Sequence, residues 1–463
     1  MTVLPAPRGT DQAALEKMIR QWGAKRSRNV LRSVYYDGKN ALIDFGISLP
    51  PSMRNIDVVL GWPAKAVNVL AARCQFDRFV SATGEDDPHD VNGLFLESGG
   101  DATLHQAIVS ALIHSVSFLT ITPGDTSRGE PPVLILPKPA TDATGLWDPR
   151  TQSLSDGLSI ISRDENGIPD QMVWYARDHV TTFWRSPGGR WSSDTQGNPT
   201  GRVWMEPLTY RPELHRPFGH SRISRTVMSL TDAGLRTLAR SEAHAEFFAS
   251  PQRYALGAED TAFGSSQDRW NAVMSRFLAI SKDEDGDVPT LGQFSQMSMQ
   301  PHFDHLRTLA ALFAGETGLP LSSLGIVHDN PSSAEAIYAG KEDLVIDAKA
   351  EQRVLSTPLR RSAITAVMLR DGLSEPPAEL ASLRANWLNP ATPSVVSASD
   401  ALVKQATVMP WLAESEVALE MLGYDEGAIA RLMADKRRTQ GPTILQHLRG
   451  ALAVEAPADD DEG

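Results

Sequence analysis

The densest group of residues that could do chemistry is a short acidic run in the second half of the chain. Its carboxylates are Asp283, Glu284, Asp285 and Asp287. Clustered carboxylates can bind a divalent cation, but an EF-hand loop beginning at Asp283 would need glycine at its sixth position and glutamate at its twelfth. Val288 and Phe294 stand there instead. We therefore interpret the run as a solvated turn that could face a partner protein.

Other patterns that would indicate catalysis or metal binding are missing from the sequence. It contains no GxxxxGK[ST] phosphate loop, no HExxH pair, no GxSxG elbow and no spaced Cys/His set. His302 and His305 lie three residues apart on a predicted helix, and we read them as an ordinary helix terminus. The single cysteine, Cys74, has apolar neighbours and is predicted to be a buried thiol. We expect no enzyme activity, no metal and no cofactor.

A stripe of arginines is the clearest basic feature. On a helix predicted over 221–249 with Ser221 as its cap, four arginines fall within about 60° of one another. They are Arg222, Arg225, Arg236 and Arg240. The opposite side is apolar, so the helix is amphipathic. The stripe is either a solvated face, or a surface for pairing between subunits or for contact with phosphate.

Composition indicates an ordinary folded protein of about three structural units. The 463 residues are 41% hydrophobic and 22% charged, with a net charge of −13. That acidic balance argues against tight DNA binding over the whole surface. No apolar run is long enough to span a membrane, and the N-terminus has no secretory pattern. We therefore expect synthesis in the cytoplasm.

The elements that must position these residues form a mixed α+β pattern. Short β-rich runs separated by Gly, Pro, Asp and Asn occupy 118–211 and predict a meander or small sandwich. A capping box at Ser332 opens a long helix to about Leu369, which Pro358 should kink. The other predicted helices span 11–28, 61–74, 101–117, 268–280, 302–315, 397–408, 413–422 and 424–438.

The order of these segments resembles the portal proteins of long-tailed phages that infect Gram-positive, particularly actinobacterial, hosts. Two segments carry the resemblance most specifically, FGHSRISRTVMSLTDAGLRTLARSEAHAEFFASPQRYALGA and LGIVHDNPSSAEAIYAGKEDLVIDAK. Further matching segments are YYDGKNALIDFGISLPP, GWPAKAVNVLAARCQFDRF, LWDPR and the DENG hairpin.

The resemblance implies a phage portal fold with an α/β wing, a helical stem, a small α/β clip, a long kinked helix and a helical crown. It places the wing at 1–219, stem helices at 220–249 and 299–316, and the clip at 250–298. A tunnel loop would occupy 317–331, followed by the long helix and a return strand of the wing at 332–396. The crown would span 397–445, before an acidic, disordered tail at 446–463. The implied DNA-facing candidates at the tunnel loop are His328, Asp329, Asn330, Ser332 and Ser333.

The implied function is a homo-oligomeric ring, of twelve subunits in the family, at one capsid vertex of the virion. Double-stranded DNA would pass through its channel during packaging and ejection, bound only weakly. The expected partners are the terminase large subunit, docked at the clip, then head-completion or adaptor proteins, together with major capsid and scaffolding proteins. No membrane is expected among them.

Two alternatives remain open from the residues alone. One is a metal-dependent enzyme acting on nucleic acid, which would need carboxylates that converge in space. The other is a monomeric adaptor protein of the phage, which would remain a single chain in solution.

Overall fold

The computed structural model describes residues 12–41, 58–81, 87–249, 253–256, 290–293, 298–326, 340–391, 395–424 and 427–438. The chain divides into two compact units, Met1–Pro390 and Ala391–Gly463. None of the helices within these ranges is both long and apolar enough to cross a membrane.

Helices and strands are mixed in the larger unit, which confirms the α+β class. Its helices are α1 Gln12–Tyr36, α2 Trp62–Ala71, α3 Val91–Glu97, α4 Gly100–His114, α5 Arg225–Ala249, α6 Gln300–Thr317 and α7 Glu342–Asp371. Its strands are β1 Phe76–Val80, β2 Val116–Pro123, β3 Val133–Pro139, β4 Ala143–Asp148, β5 Ser153–Arg163, β6 Pro169–Ala176, β7 His179–Arg185, β8 Trp191–Gly197, β9 Met205–Thr209, β10 Arg253–Leu256, β11 Thr290–Gln293 and β12 Arg384–Trp387.

The β-rich region folds largely as predicted, into an antiparallel meander of five strands in the order β4-β5-β6-β7-β8. Tight turns set its register. At the β5–β6 turn, Asp164 Oδ1 accepts hydrogen bonds from the backbone N–H groups of Asn166 and Ile168, and Gly167 adopts a positive φ of 71°. Such turns suit glycine and aspartate because the backbone needs φ > 0 and local acceptors.

Helix α1 covers one face of this meander and is longer than predicted. Its apolar residues Leu15 and Met18 pack with Ile160, Trp174 and Phe183 of the sheet. A stripe of this spacing buries one face of a helix and leaves the other to water. Four of its basic residues, Arg20, Lys25, Arg26 and Arg28, are exposed.

The main core surrounds a second antiparallel sheet, ordered β3-β2-β9, between helices α2, α4 and α7. Strand β2 is buried along six successive residues, as expected for a strand covered on both faces. Cys74 lies in this core and is buried, as predicted. Helix α7 runs through Pro358 without a break in its assigned range. Its predicted start at Ser332 lies outside the described residues.

After α7 the chain returns to pair β12 with β1 in an antiparallel ladder. Trp387 packs edge-on against Phe76 with ring centroids 5.7 Å apart, and its indole N–H donates to Ser356 of α7 at 2.9 Å. The return segment is thereby fixed to both the strand and the long helix.

Helices α5 and α6 form an antiparallel pair. Ser224 near the start of α5 donates to Glu316 near the end of α6 at 3.1 Å, and His244 meets His302 at the opposite end. The predicted cap at Ser221 is wrong. Helix α5 begins at Arg225, and the Ser224 hydroxyl accepts from the N–H of Val227 at 3.1 Å, which is the geometry of an N-cap.

The smaller unit is helical, with α8 Val395–Val408, α9 Glu416–Met421 and a further helix, α10, at 427–438. The predicted helix over 413–422 begins later, because residues 410–414 form a 3-10 turn and Ser415 caps α9. The predicted tail at 446–463 lies outside the described residues.

We expect Gly219→Ala to destabilise the fold far more than Gly167→Ala. Both glycines have positive φ, 64° and 71°, so each substitution costs about 1–2 kcal/mol of backbone strain. At Gly219 an added Cβ would also lie 2.1 Å from the Tyr210 carbonyl oxygen, whereas nothing lies within 4 Å at Gly167. Thermal unfolding should show a loss of at least about 3 kcal/mol for Gly219→Ala. Equal losses would contradict this packing.

Candidate functional site

Arg222, expected to open the arginine stripe, is not on a helix. It lies in the bend before α5, and its side chain is only 3% exposed. The prediction that it shares a surface with Arg225, Arg236 and Arg240 is therefore wrong. Helix α5 begins after its N-cap Ser224, and Arg222 belongs to the bend that turns inward before it. The preceding Ser221 anchors the bend, since its hydroxyl accepts from the N–H of Ile223 at 3.0 Å.

The Arg222 guanidinium donates to four groups, each contributed by a different segment. Nε donates to the carbonyl of Ala66 in α2 at 2.6 Å, and Nη2 to the carbonyl of Thr317 at the end of α6 at 2.7 Å. Nη1 donates to the hydroxyl of Tyr210 and to Oδ2 of Asp347 in α7, each at 2.7 Å. Burial of a charge is tolerated only when it is paired and hydrogen-bonded, and this guanidinium satisfies both requirements. We call Arg222, Tyr210, Asp347 and their partners Arg211 and Glu351 the arginine hub.

Asp347 lies between two arginines of unequal exposure. Its Oδ2 faces buried Arg222, while its Oδ1 accepts from Arg211 Nη2 at 2.8 Å. The Arg211 side chain is 60% exposed, so solvent weakens that second pair. Arg211 also holds an uncommon positive φ of 46°. The strained backbone lets consecutive residues Tyr210 and Arg211 approach Asp347 together.

Burial in the arginine hub shifts the titration of its neighbours. Desolvation, reinforced by the charge of Asp347, raises the pKa of Glu351 to about 8. Desolvation also raises the pKa of Tyr210 to about 12, which keeps its hydroxyl a donor. The pKa of the Cys74 thiol is raised by burial and by Glu351. A protonated thiol is a poor nucleophile, so these surroundings do not activate Cys74.

The other three arginines of the predicted stripe occupy different surroundings. Arg225 is exposed in the first turn of α5, while Arg236 and Arg240 are half-buried. Arg236 acts electrostatically on Tyr35 of α1, and Arg240 acts on His302 of α6. Their role in contacting DNA or a second subunit stays a prediction.

The two histidines singled out on α6 also differ. His302 Nε2 lies 2.8 Å from His244 Nδ1 across the helix pair, whereas His305 is exposed. Burial and the charges of His244 and Arg240 lower the pKa of His302. Across the ranges that the structure describes, no three His, Cys, Asp or Glu side chains are arranged to bind a metal ion.

The remaining predicted site residues lie outside the described residues. They are the acidic-run residues Asp283, Glu284, Asp285 and Asp287, and the tunnel-loop residues His328, Asp329, Asn330, Ser332 and Ser333. The described strands β10 and β11 flank the segment that carries the acidic run, and they pair with each other from Arg253–Gln293 to Leu256–Thr290. Their ladder places Leu256 and Thr290, which lie on either side of that segment in the sequence, opposite each other.

Sequence reasoning missed Asp347 and Glu351 of the arginine hub. The spacing of the two acids was an available signal. Acids four residues apart share a helix face and repel each other unless nearby cations pair with them. Which cations do so is decided by the tertiary fold, since Arg222 lies 125 residues away from Asp347.

Arg222→Ala should cost the protein about 3–5 kcal/mol of stability, because it leaves Asp347 and Tyr210 buried without their donor. Arg211→Ala is the matched control, since it removes an exposed partner of the same carboxylate, and we expect a loss below about 1 kcal/mol. Urea denaturation of both variants measures the difference. Comparable losses of stability in the two variants would show that Arg222 is not the centre of the arginine hub.

The raised pKa of Glu351 gives a pH-dependent prediction. The folded protein keeps this proton up to about pH 8, whereas an unfolded glutamate loses it near about pH 4.3. The folded state therefore binds more protons between these values, and Glu351 weakens stability as pH rises through that window. Between about pH 5 and 8 the melting temperature of Glu351→Gln should fall less than that of the unsubstituted protein. Glu342→Gln, at an exposed position of α7, should follow the unsubstituted protein. Parallel curves for all three would exclude a buried, protonated Glu351.

Comparison with known proteins finds two relatives with the same name. The "Portal protein" of Mycobacterium phage D29 is 26% identical over 380 residues, covering 80% of this chain and 77% of the relative. The "Portal protein" of Mycobacterium phage L5 is 25% identical over 379 residues, with the same coverage. No protein-family model matches the chain.

One solved structure aligns along most of the chain, a component of the "Neck of native GTA particle computed with C12 symmetry". It covers 85% of this chain and 93% of its own, at 12% identity and a TM-score of 0.44, which is too low to establish a shared fold. The sequence relatives span four fifths of the chain. They confirm the predicted resemblance: this chain is related to the portal proteins of phages that infect actinobacteria.

Proposed function

We propose that this chain is the ring subunit of a phage portal vertex, through which double-stranded DNA is packaged and ejected. The observation that carries the proposal is the relationship to two portal proteins over 80% of the chain. The role is structural: the ring provides a passage and a docking platform, and it performs no chemistry on DNA.

In this proposal the described elements take the parts that the resemblance implies. The antiparallel pair α5 and α6 is the stem, with β10 and β11 at the base of the clip. Helix α7 is the long helix beyond the tunnel loop, and β12 is the return strand of the wing. Helices α8 to α10 form the crown. The arginine hub then lies where stem, wing and long helix meet.

Exposed apolar side chains on α6 favour assembly with further copies. Phe303 and Leu312 are 57% and 56% exposed. Nine residues at 100° each place them on opposite sides of the helix. In a closed ring each subunit has two neighbours and contacts them with opposite sides. Phe303 and Leu312 would therefore each be buried against a different copy.

The charge of the chain suits a passage through which DNA slides. A net charge of −13 disfavours tight DNA binding over the whole surface, and DNA affinity scales with the number of phosphate contacts that a protein makes. We assign weak DNA contact to the tunnel-loop residues His328, Asp329, Asn330, Ser332 and Ser333. The acidic run at Asp283–Asp287 is assigned to terminase docking and later to the head-completion or adaptor protein.

The test is the state of assembly of the purified chain under conditions that favour oligomers. Twelve chains of 50.4 kDa would give a particle of about 600 kDa, seen by electron microscopy as an annulus with a central hole. Phe303→Asp and Leu312→Asp should each shift the material towards single chains, because a charge cannot be buried unpaired at an interface.

Ile168→Asp is the control for this experiment. Ile168 is 46% exposed at a turn of the meander, away from the stem, so the variant should still form annuli. A chain that stays near 50 kDa under all assembly conditions would refute the proposal. Annuli that persist in both α6 variants would refute the assigned interface.

A further inference from the structure

A cavity of about 280 Å³ opens beside α1, between the start of β2 and the loop 211–219. Four segments of the chain build it: α1, the α4–β2 junction, the start of β4, and that loop. The ionisable residues that line it are Lys25, Arg28, Arg32, His114, His215 and Arg216. We call it the α1 cavity.

Permanent positive charge dominates the lining of the α1 cavity. Lys25, Arg28, Arg32 and Arg216 contribute four cations, and no aspartate or glutamate is among the lining residues. Within the described part of the chain, no carboxylate forms an ion pair with any of these four. A concave surface of one charge sign concentrates counter-ions of the opposite sign.

Arg32 is the most unusual of the four because it is buried, with 9% of its surface exposed. Its Nη1 donates to the carbonyl of His114 at 2.9 Å, but its Nε has no hydrogen-bond partner among the described residues. A buried donor without an acceptor costs free energy. An anion in the cavity would supply the missing acceptor.

The cations also repel one another. Desolvation by burial, then the charges of Arg28 and Arg216, lower the pKa of Arg32 to about 10. His114, hydrogen-bonded to Ser33 and Ser110, is kept neutral, since burial and the charge of Arg32 lower its pKa to about 4. The proximity of these like charges is electrostatically unfavourable, and a bound anion would offset their repulsion.

Two acids lie near the α1 cavity, Glu213 beside the lining residue His215 and Asp142 beside Arg163, and neither forms an ion pair with the four permanent cations. Glu213 lies 3.2 Å from His215 Nε2 and 3.1 Å from His220 Nε2. Asp142 forms an ion pair with Arg163. The charge of the α1 cavity is left for a ligand to balance.

The fold holds this arrangement in place from both sides. Loop 211–219 is closed at its base, where His220 N–H donates to the Tyr210 carbonyl at 2.8 Å. On the other side, Trp22 donates to the Thr141 carbonyl at 2.7 Å and Asn29 donates to the Ala140 carbonyl at 3.2 Å. The cavity is preorganised by these contacts, which lowers the entropic cost of binding.

We propose that the α1 cavity binds a small phosphate-bearing anion carrying at least two negative charges. Arginine forks match the oxygen geometry of phosphate and can bind it bidentately. Four permanent cations favour a polyanion over a single carboxylate, and the cavity is larger than one phosphate group. A diphosphate group therefore fits the charge and volume best. The inference does not depend on ring formation.

The experiment is calorimetric titration of the full chain, at constant ionic strength, with pyrophosphate, inorganic phosphate and citrate. Pyrophosphate should bind more tightly than inorganic phosphate because it satisfies more of the cations. Citrate carries a similar charge on carboxylates, and it should bind at least about tenfold more weakly than pyrophosphate. Equal affinity for citrate and pyrophosphate would overturn the assignment to phosphate.

Arg28→Gln and Arg216→Gln test the location, since both side chains are at least partly exposed and their loss should leave the fold intact. Each should weaken pyrophosphate binding by about tenfold or more. Arg20→Gln removes the same charge from an exposed position of α1 outside the cavity, and binding should change less than about twofold. Absence of binding, or an equal effect of Arg20→Gln, would overturn the proposal.

Discussion

The larger unit is organised around one buried charge. The Arg222 guanidinium cannot be left in the core without acceptors, because the desolvation cost of an unpaired ion is several kcal/mol. Its four acceptors come from α2, the end of β9, the end of α6, and α7. The relative placement of these elements is therefore constrained by one side chain, which the hydrophobic effect alone, being non-directional, could not achieve.

That constraint also determines where α5 begins. Because Arg222 points into the core, the helix cannot start at Ser221, and Ser224 takes the capping position. The four arginines that would form a stripe on an ideal helix consequently occupy different surroundings. Arg222 is buried in the arginine hub, Arg225 is exposed in the first turn, and Arg236 and Arg240 are half-buried. In the portal role we propose, this division leaves Arg225 as the one fully exposed arginine of these four, which suits a passage that must not hold DNA tightly.

Much of the fold could be predicted from the sequence because its signals are local. Turn residues such as Gly167 predict the meander, and the apolar spacing of Leu15 and Met18 predicts α1. The arginine hub and the α1 cavity could not be predicted in this way. Arg222 lies 156 residues from Ala66, and the cations of the cavity come from α1 and from a loop beyond position 210. A net charge of −13 conceals such a basic cluster, because composition averages over the surface.

The α5–α6 pair is closed at both ends. The His244–His302 contact joins the two helices at one end, and the hydrogen bond from Arg222 to Thr317 secures the pair at the other. A force applied to the two helices at the His244–His302 end would therefore be carried along them to Thr317 and, through the Arg222 guanidinium, to Asp347 of α7. The long helix is thereby coupled to the α5–α6 pair by charge-assisted hydrogen bonds of one guanidinium.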